Sequence, residues 1–253
     1  FIYRNATGLE NYWSFHKQEL GRAGTGYVND FNGNLVFVHK DAHTNGSRMP
    51  VEIKHVYNLT DSNKSSRFGY GWMISAMQRL DGNGSNENPY YYTDEDGTHH
   101  YFYDDNGVKR DEDGLGLEYS GIDEGELQHK ITAKNKTVMK FDVWGYLRRT
   151  IDANGNTISY NYGPNSNGNF LGNVHDGADR VISFYYNSDM SRLDKIADPA
   201  GRETLYSYDG NGNLIKITYA DGTDTRFEYS GHRLTKVVTS NGYSMEYSYT
   251  LDM

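Results

Sequence analysis

No cysteine occurs among the 253 residues, which rules out disulfides, zinc–thiolate centres and thiol nucleophiles. Positive charge is also short: 25 Lys and Arg stand against 34 Asp and Glu, a formal charge of −9. Sequence-independent nucleic-acid binding needs a positive field to displace counterions, so nucleic acid is not an expected partner. No apolar run approaches the roughly 20 residues that a membrane-crossing helix requires, and Phe1-Ile2-Tyr3-Arg4 is not a signal peptide. Membrane insertion is therefore not expected. Hydrophobic residues amount to only 36%, whereas Tyr contributes 23 residues and Gly 28. That balance disfavours a Leu- and Ala-rich helical protein, because Tyr suits strands and Gly suits the turns between them.

What the chain does have is a repeat. From Leu147 onward, a Leu is followed eight positions later by a turn residue, five further on by an aromatic and two beyond that by a Tyr. Leu147, Gly155, Tyr160 and Tyr162 fit this frame, as do Leu171, Asp179, Phe184 and Tyr186. Leu193, Gly201, Tyr206 and Tyr208 form the third cassette, Leu214, Gly222, Phe227 and Tyr229 the fourth, and Leu234, Gly242, Tyr247 and Tyr249 the fifth. Spacing within each cassette is fixed, while the segments between cassettes shrink from 8 to 6 to 5 to 4 residues. Fixed spacing marks paired strands whose register cannot slip, and variable spacing marks surface turns.

Each cassette is therefore expected to be a strand, a tight turn and a returning strand. In the fourth, residues 214–219 read as the first strand, 220–223 as the turn and 225–229 as the second. Asp-Gly between alternating apolar residues is a hairpin signal, because such turns require positive φ. Asp179 takes the place of Gly in that column and is of a residue type that tolerates the left-handed region. Aromatics two residues apart share one face of a strand. Five such pairs would form ladders, each cross-strand contact contributing about 0.2–1 kcal/mol. A lone hairpin cannot bury its apolar face, so consecutive hairpins are expected to pair laterally into one growing sheet.

The variable turns carry a family resemblance. Tyr208-Asp209-Gly210-Asn211-Gly212-Asn213-Leu214 resembles the signature of YD (Rhs) repeats, in which Tyr-Asp is followed by Gly three residues after the Asp and then by Leu. Phe141-Asp142-Val143-Trp144-Gly145-Tyr146-Leu147 is similar with Phe for Tyr, and Tyr103-Asp104-Asp105-Asn106-Gly107 is similar without the Leu. Asp152-Ala153-Asn154-Gly155-Asn156 and Asp198-Pro199-Ala200-Gly201-Arg202 match the family's Asp-x-x-Gly turn, and Arg202 its frequent Gly-Arg pair. Tyr186 and Tyr229 depart from the pattern, being followed by Asn187 and Ser230. Gly33-Asn34-Leu35-Val36, Met49-Pro50-Val51-Glu52-Ile53, Val56-Tyr57-Asn58 and Phe68-Gly69-Tyr70-Gly71-Trp72 look like the segment that opens the repeat region in bacterial wall-associated and Rhs proteins. Asp94-Glu95-Asp96-Gly97-Thr98 and Tyr101-Phe102-Tyr103 continue it.

The resemblance covers roughly residues 30 to 253 and implies three stretches. Residues 1–29 would connect to an upstream domain, 30–130 would open the shell, and 131–253 would be the repeat array, continuous with the preceding part. The expected fold class is all-β, with antiparallel β-hairpin repeats forming a spiral, curved sheet that is part of a YD-repeat β-shell. Family shells are hollow and often surround a carboxy-terminal toxin. The implied role is thus a non-catalytic structural segment of a large secreted or cell-surface bacterial protein, a location with which a cysteine-free chain is compatible. The implied partners are further repeats and a carboxy-terminal effector in the same polypeptide. A start at Phe1 without Met adds the expectation of a piece of something larger. The alternative function is a cell-surface adhesin or carbohydrate-binding module whose Tyr and Trp stack on glycans from the outer face. A β-propeller with two cassettes per blade is a third reading.

Candidate catalytic and metal-binding groups are weak by comparison. Asp81-Gly82-Asn83-Gly84-Ser85-Asn86 superficially matches a calcium loop, but Asn86 and Tyr92 stand where Gly and an acid belong. Asp111-Glu112-Asp113-Gly114 reads as a solvated turn. His39 and His43 would share a strand face yet sit about 13 Å apart, and the adjacent His99 and His100 are expected to be surface or packed groups. No Gly-x-Ser-x-Gly elbow or phosphate loop is present. The sequence therefore predicts no catalytic residue, no metal and no cofactor.

Overall fold

The computed structural model describes residues 7–163 and 170–250. Phe1-Ile2-Tyr3-Arg4 and the interior of the first and longest inter-cassette segment lie outside the described residues. Two antiparallel sheets account for the architecture. The first runs β1 (Phe15–Glu19), β2 (Thr25–Asn29), β3 (Leu35–His43), β4 (Glu52–Asn58) and β5 (Trp72–Ile74), each paired with its chain neighbour. At its centre the apolar residues do not alternate with polar ones. Leu35, Val36 and Phe37 in β3 and Val56 and Tyr57 in β4 are all essentially inaccessible. A strand that reads as a continuous apolar run is one covered on both faces.

The second sheet opens with β6 (Arg79–Asp81), β7 (Tyr91–Thr93), β8 (His99–Asp105), β9 (Val108–Asp111), β10 (Glu118–Glu124) and β11 (Leu127–Thr132). It continues through β12 (Val138–Asp142), β13 (Leu147–Ile151), β14 (Thr157–Tyr162), β15 (Leu171–His175), β16 (Val181–Tyr186) and β17 (Leu193–Ala197). The last strands are β18 (Glu203–Tyr208), β19 (Leu214–Thr218), β20 (Asp224–Ser230), β21 (Arg233–Thr239) and β22 (Ser244–Glu246). From β6 to β22 every strand is hydrogen bonded antiparallel to the next. Here the strands do alternate: in β16, Ile182 and Phe184 are buried while Tyr185 is 47% exposed. One face is packed and the other is wet, as expected of an antiparallel wall. The continuous meander also disposes of the propeller reading, since no blades separate.

The first sheet packs on the inner face of this wall. Phe37 and Trp72 meet Phe227 of β20 at ring-centroid distances of 6.0 and 5.2 Å. Tyr57 donates from its hydroxyl to the His232 carbonyl at 3.0 Å and accepts from the Leu234 amide at 3.1 Å. The wall's Leu193 amide donates to the Arg67 carbonyl, between β4 and β5, at 2.9 Å. One apolar core, with members from both sheets, lies between them.

Residues 15–29, expected to belong to a connector, form β1 and β2, and β2 supplies the hydrogen-bonding edge on which β3 pairs. The change of sheet falls at residues 75–78, within the stretch expected to open the shell, and β10 and β11 pass into β12 without interruption.

Candidate functional site

The sequence frame of the cassettes is a structural frame. Leu147, Leu171, Leu193, Leu214 and Leu234 are each 0% exposed and form one buried column. Gly155, Gly201, Gly222 and Gly242 have φ between 76° and 84°, and Asp179 adopts φ 61°. All five close their turns the same way, each donating its amide to the carbonyl three residues earlier. Tyr160, Phe184, Tyr206 and Phe227 are buried on the inner face, with Tyr162, Tyr186, Tyr208 and Tyr229 beside them and packed on the core. Tyr247 and Tyr249, which follow β22, pack on the same core.

Between cassettes, the ladder skips one residue at every junction. Phe141 pairs with Leu147, Tyr162 with Leu171, Tyr186 with Leu193, Tyr208 with Leu214 and Tyr229 with Leu234. Arg148, Gly172, Asp194, Ile215 and Thr235 are left over as β-bulges. A bulge bends its strand and increases the local twist, so a bulge at each junction curves the wall in one sense. The Tyr hydroxyl then reaches back to the carbonyl at its own cassette's bulge. Tyr186 donates to Leu171 at 3.1 Å, Tyr229 to Leu214 at 2.7 Å, and Tyr249 to Leu234. Tyr208 points instead to the Arg67 carbonyl at 3.4 Å, and the Tyr162 hydroxyl is buried without a partner.

The Asp of the turn motifs has a defined task. Oδ1 of Asp142, Asp152, Asp176, Asp198 and Asp209 accepts the amides two and four residues on, at 2.8–3.0 Å. The residue after the Gly position returns a side-chain bond to Oδ2: Asn156 at 2.7 Å, Arg180 at 2.8 Å, Arg202 at 2.6 Å and Asn213 at 2.9 Å. This accounts for the Gly-Arg and Gly-Asn pairs in chemical terms. The Asn156 side chain holds Asp152 below the usual carboxylate range. Partial burial opposes ionisation at Asp176, Asp198 and Asp209, but the turn's hydrogen bonds outweigh it and lower all three.

Two buried clusters lie outside the repeat. In the first sheet Asp41 accepts from His39 Nδ1 at 3.0 Å, from the Tyr206 hydroxyl at 2.8 Å and from His55 Nδ1 at 2.7 Å. His39 Nε2 lies 2.9 Å from the Tyr219 hydroxyl, which also meets Thr225 at 2.7 Å. Burial disfavours the Asp41 charge, yet His55 and His39 more than compensate and hold it well below its ordinary value. Every member is satisfied except His55 Nε2. The arrangement ties β3 and β4 to β18 and to the turn after β19, and it leaves no reactive group facing solvent.

The second cluster surrounds His100, whose Nδ1 is 2.9 Å from Asp113 and whose Nε2 is 3.1 Å from Asp94. Burial opposes its charge, but these two carboxylates push it up to about 10. Glu10, raised to about 7 by burial and by Asp113, completes the group. The turn expected at 111–114 forms, but its two aspartates are not solvated: Asp111 is 4% exposed and accepts the Leu117 amide at 2.6 Å, and Asp113 turns inward onto His100. His99 and His100 fall on opposite faces of β8. Nothing in the local sequence signals Glu10, ninety residues upstream; the Asp94, His100 and Asp113 spacing on strand-sized intervals was the available hint.

Comparison with known proteins follows the same lines. A family model described as RHS Repeat matches residues 192–224 and 208–244, and one described as Domain of unknown function (DUF6531) matches residues 26–102. The tRNA(Glu)-specific nuclease WapA of Bacillus subtilis subsp. natto (strain BEST195) is 27% identical over 97% of this chain. The tRNA nuclease WapA of Bacillus subtilis (strain 168) is also 27% identical, and the tRNA3(Ser)-specific nuclease WapA of Bacillus spizizenii is 26% identical. The chain spans 11% of the length of these relatives. Among solved structures, the TcdB2-TccC3-Cdc42 crystal structure aligns over 88% of this chain and 14% of its own, at 15% identity and a TM-score of 0.34, too low to bear on the fold.

Proposed function

Because the chain belongs to the YD (Rhs) repeat family, we propose that it is a non-catalytic wall segment of a large toxin-type bacterial protein, secreted or held at the cell surface, and that the wall encloses a carboxy-terminal effector. The observation that carries this reading is the inward-facing repeat: five buried Leu, bulges at every junction and Tyr hydroxyls spent on backbone carbonyls. Side chains used in this way build a curved surface, and the Tyr162 hydroxyl, which has no partner, is buried within it. The nuclease activity in the relatives' names would then reside elsewhere in such proteins.

Two experiments test the reading. The purified chain incubated with tRNA should leave it intact; cleavage that copurifies with the chain would refute the non-catalytic role. In the parent polypeptide, the effector should resist trypsin until the wall is opened by Leu193→Ala, whereas equal digestion with and without that change would contradict enclosure. The glycan-binding alternative loses its main support, since the Tyr columns face the core. Of the exposed aromatics, Tyr103, Trp144, Tyr185 and Tyr243 lie on separate strands and turns, whereas Tyr12 and Phe31 flank Trp13 at ring-centroid distances of 5.2 and 4.8 Å.

A further inference from the structure

We propose that Glu10, His100 and Asp113 bind one divalent metal ion of the zinc class, which pins the segment before β1 to the β8–β9 hairpin. The three residues come from separate parts of the chain: Glu10 precedes β1, His100 lies in β8, and Asp113 follows β9. One ligand atom of each lies within 4.8 Å of the others. Neighbouring acids are common without an ion, so proximity is not sufficient. The decisive feature is Glu10, which is only 4% exposed and whose Oε1 is buried with no hydrogen-bond partner. An unsatisfied buried acceptor is costly, and a cation at this point supplies the missing partner.

Glu10 is also delivered to the site by its own backbone. Thr7 Oγ1 donates to the Gly97 carbonyl at 2.8 Å, the Gly8 amide to Asn58 Oδ1 at 2.8 Å, and the Leu9 amide to Asp96 Oδ1 at 3.2 Å. Three successive anchors fix the residue that follows them. The donor set then selects the ion. One imidazole with two carboxylates suits zinc and its neighbours, whereas calcium takes about 6–8 oxygen ligands and magnesium demands an oxygen octahedron.

His100 has the arrangement of a metal-bound histidine. A ring that ligates through one nitrogen normally donates its other N–H to a carboxylate, which fixes its orientation. Here Nε2 faces Asp94 at 3.1 Å, leaving Nδ1 on the side of Asp113. On binding, the ion replaces the Nδ1 proton, which leaves to solvent, and Asp113 changes from hydrogen-bond acceptor to ligand. No group is oxidised or reduced. The ion thereby joins the start of the first sheet to the start of the wall.

The test is zinc titration of the full 253-residue chain against a chromogenic chelator, with manganese and calcium as parallel arms. One zinc per chain is expected, with a rise in the thermal midpoint on adding zinc. Glu10→Gln keeps the side-chain volume and should weaken zinc by at least about tenfold and abolish the thermal shift; Asp94→Asn should cost about 10–100-fold. Circular dichroism confirms that each variant is folded, which matters because His100→Ala removes a buried group. Absence of stoichiometric zinc, preference for calcium, or equal zinc affinity in folded Glu10→Gln would each overturn the proposal.

Discussion

In the first sheet a single carboxylate, Asp41, receives His39, His55 and Tyr206, whereas in the wall the corresponding work is divided among Asp142, Asp152, Asp176, Asp198 and Asp209, each closing its own turn. The difference follows from where the two sheets sit. A strand covered on both faces can keep polar atoms only in a fully partnered knot, since an unpaired buried polar group is expensive. A wall can put its polar atoms at the turns, where even the buried Asp142 and Asp176 are satisfied by the amides of their own turn. The first sheet should therefore depend on its one shared carboxylate, while the wall should tolerate the loss of any one turn Asp.

The largest effect is expected where that dependence is concentrated. Asp41→Ala strips the acceptor from three buried donors and should cost about 3–5 kcal/mol, read from urea unfolding; a loss no larger than that of Asp209→Ala would erase the contrast between the sheets. Next comes Leu193→Ala, which opens a cavity in the buried column and should cost about 2–5 kcal/mol. The exposed Leu205, 42% accessible on the same wall, should lose less than about 0.5 kcal/mol on the same change. Tyr229→Phe leaves Trp72 Nε1 without the hydroxyl it meets at 2.9 Å and should cost about 1–3 kcal/mol. Tyr186→Phe, whose hydroxyl serves only the Leu171 carbonyl, should cost less.

Acid should act mainly through the wall's turns. The carboxyls of Asp152, Asp176, Asp198 and Asp209, and that of Asp41, have folded values below the unfolded one of about 3.9. A depressed carboxyl contributes stability above its unfolded value and loses it as pH falls through the folded value. Unfolding midpoints should thus decline below about pH 4, and Asp221, held down to about 2 by Thr223 and Arg22, should be among the last to protonate. A midpoint that is flat from pH 5 to 2 would count against the turn bonding. The smallest effect is expected at the exposed Lys195–Glu203 pair on the outer face, where Glu203→Gln should change stability by less than about 1 kcal/mol.

The repeat was legible because its spacing is the spacing of hydrogen bonds. Leu, turn residue and two aromatics sit at positions that strand pairing itself fixes, and Asp179, the one non-Gly residue in the turn column, adopts the left-handed backbone expected there, φ 61°. The bulges were not legible, since Arg148, Gly172, Asp194, Ile215 and Thr235 share no chemistry and are defined only by what they fail to pair with. Nor were the two buried clusters. Asp41 meets Tyr206 across 165 positions, and Thr7 meets Gly97 across 90. Contacts of that reach leave no periodic trace in a single chain. The strands at residues 15–29 were missed for a related reason: β1 is nearly all exposed, so it lacks the alternation that marks a half-buried strand.

The central claim, that the repeat array and the first sheet form one packed structure, is tested most directly by native-state hydrogen exchange resolved to single amides. The Leu193 and Leu234 amides of the wall donate to Arg67 and Tyr57, so they should open with the same free energy as the buried amides of Phe37 and Tyr57. Rapid exchange of the wall amides while those of the first sheet stay protected would show two independent modules and contradict it.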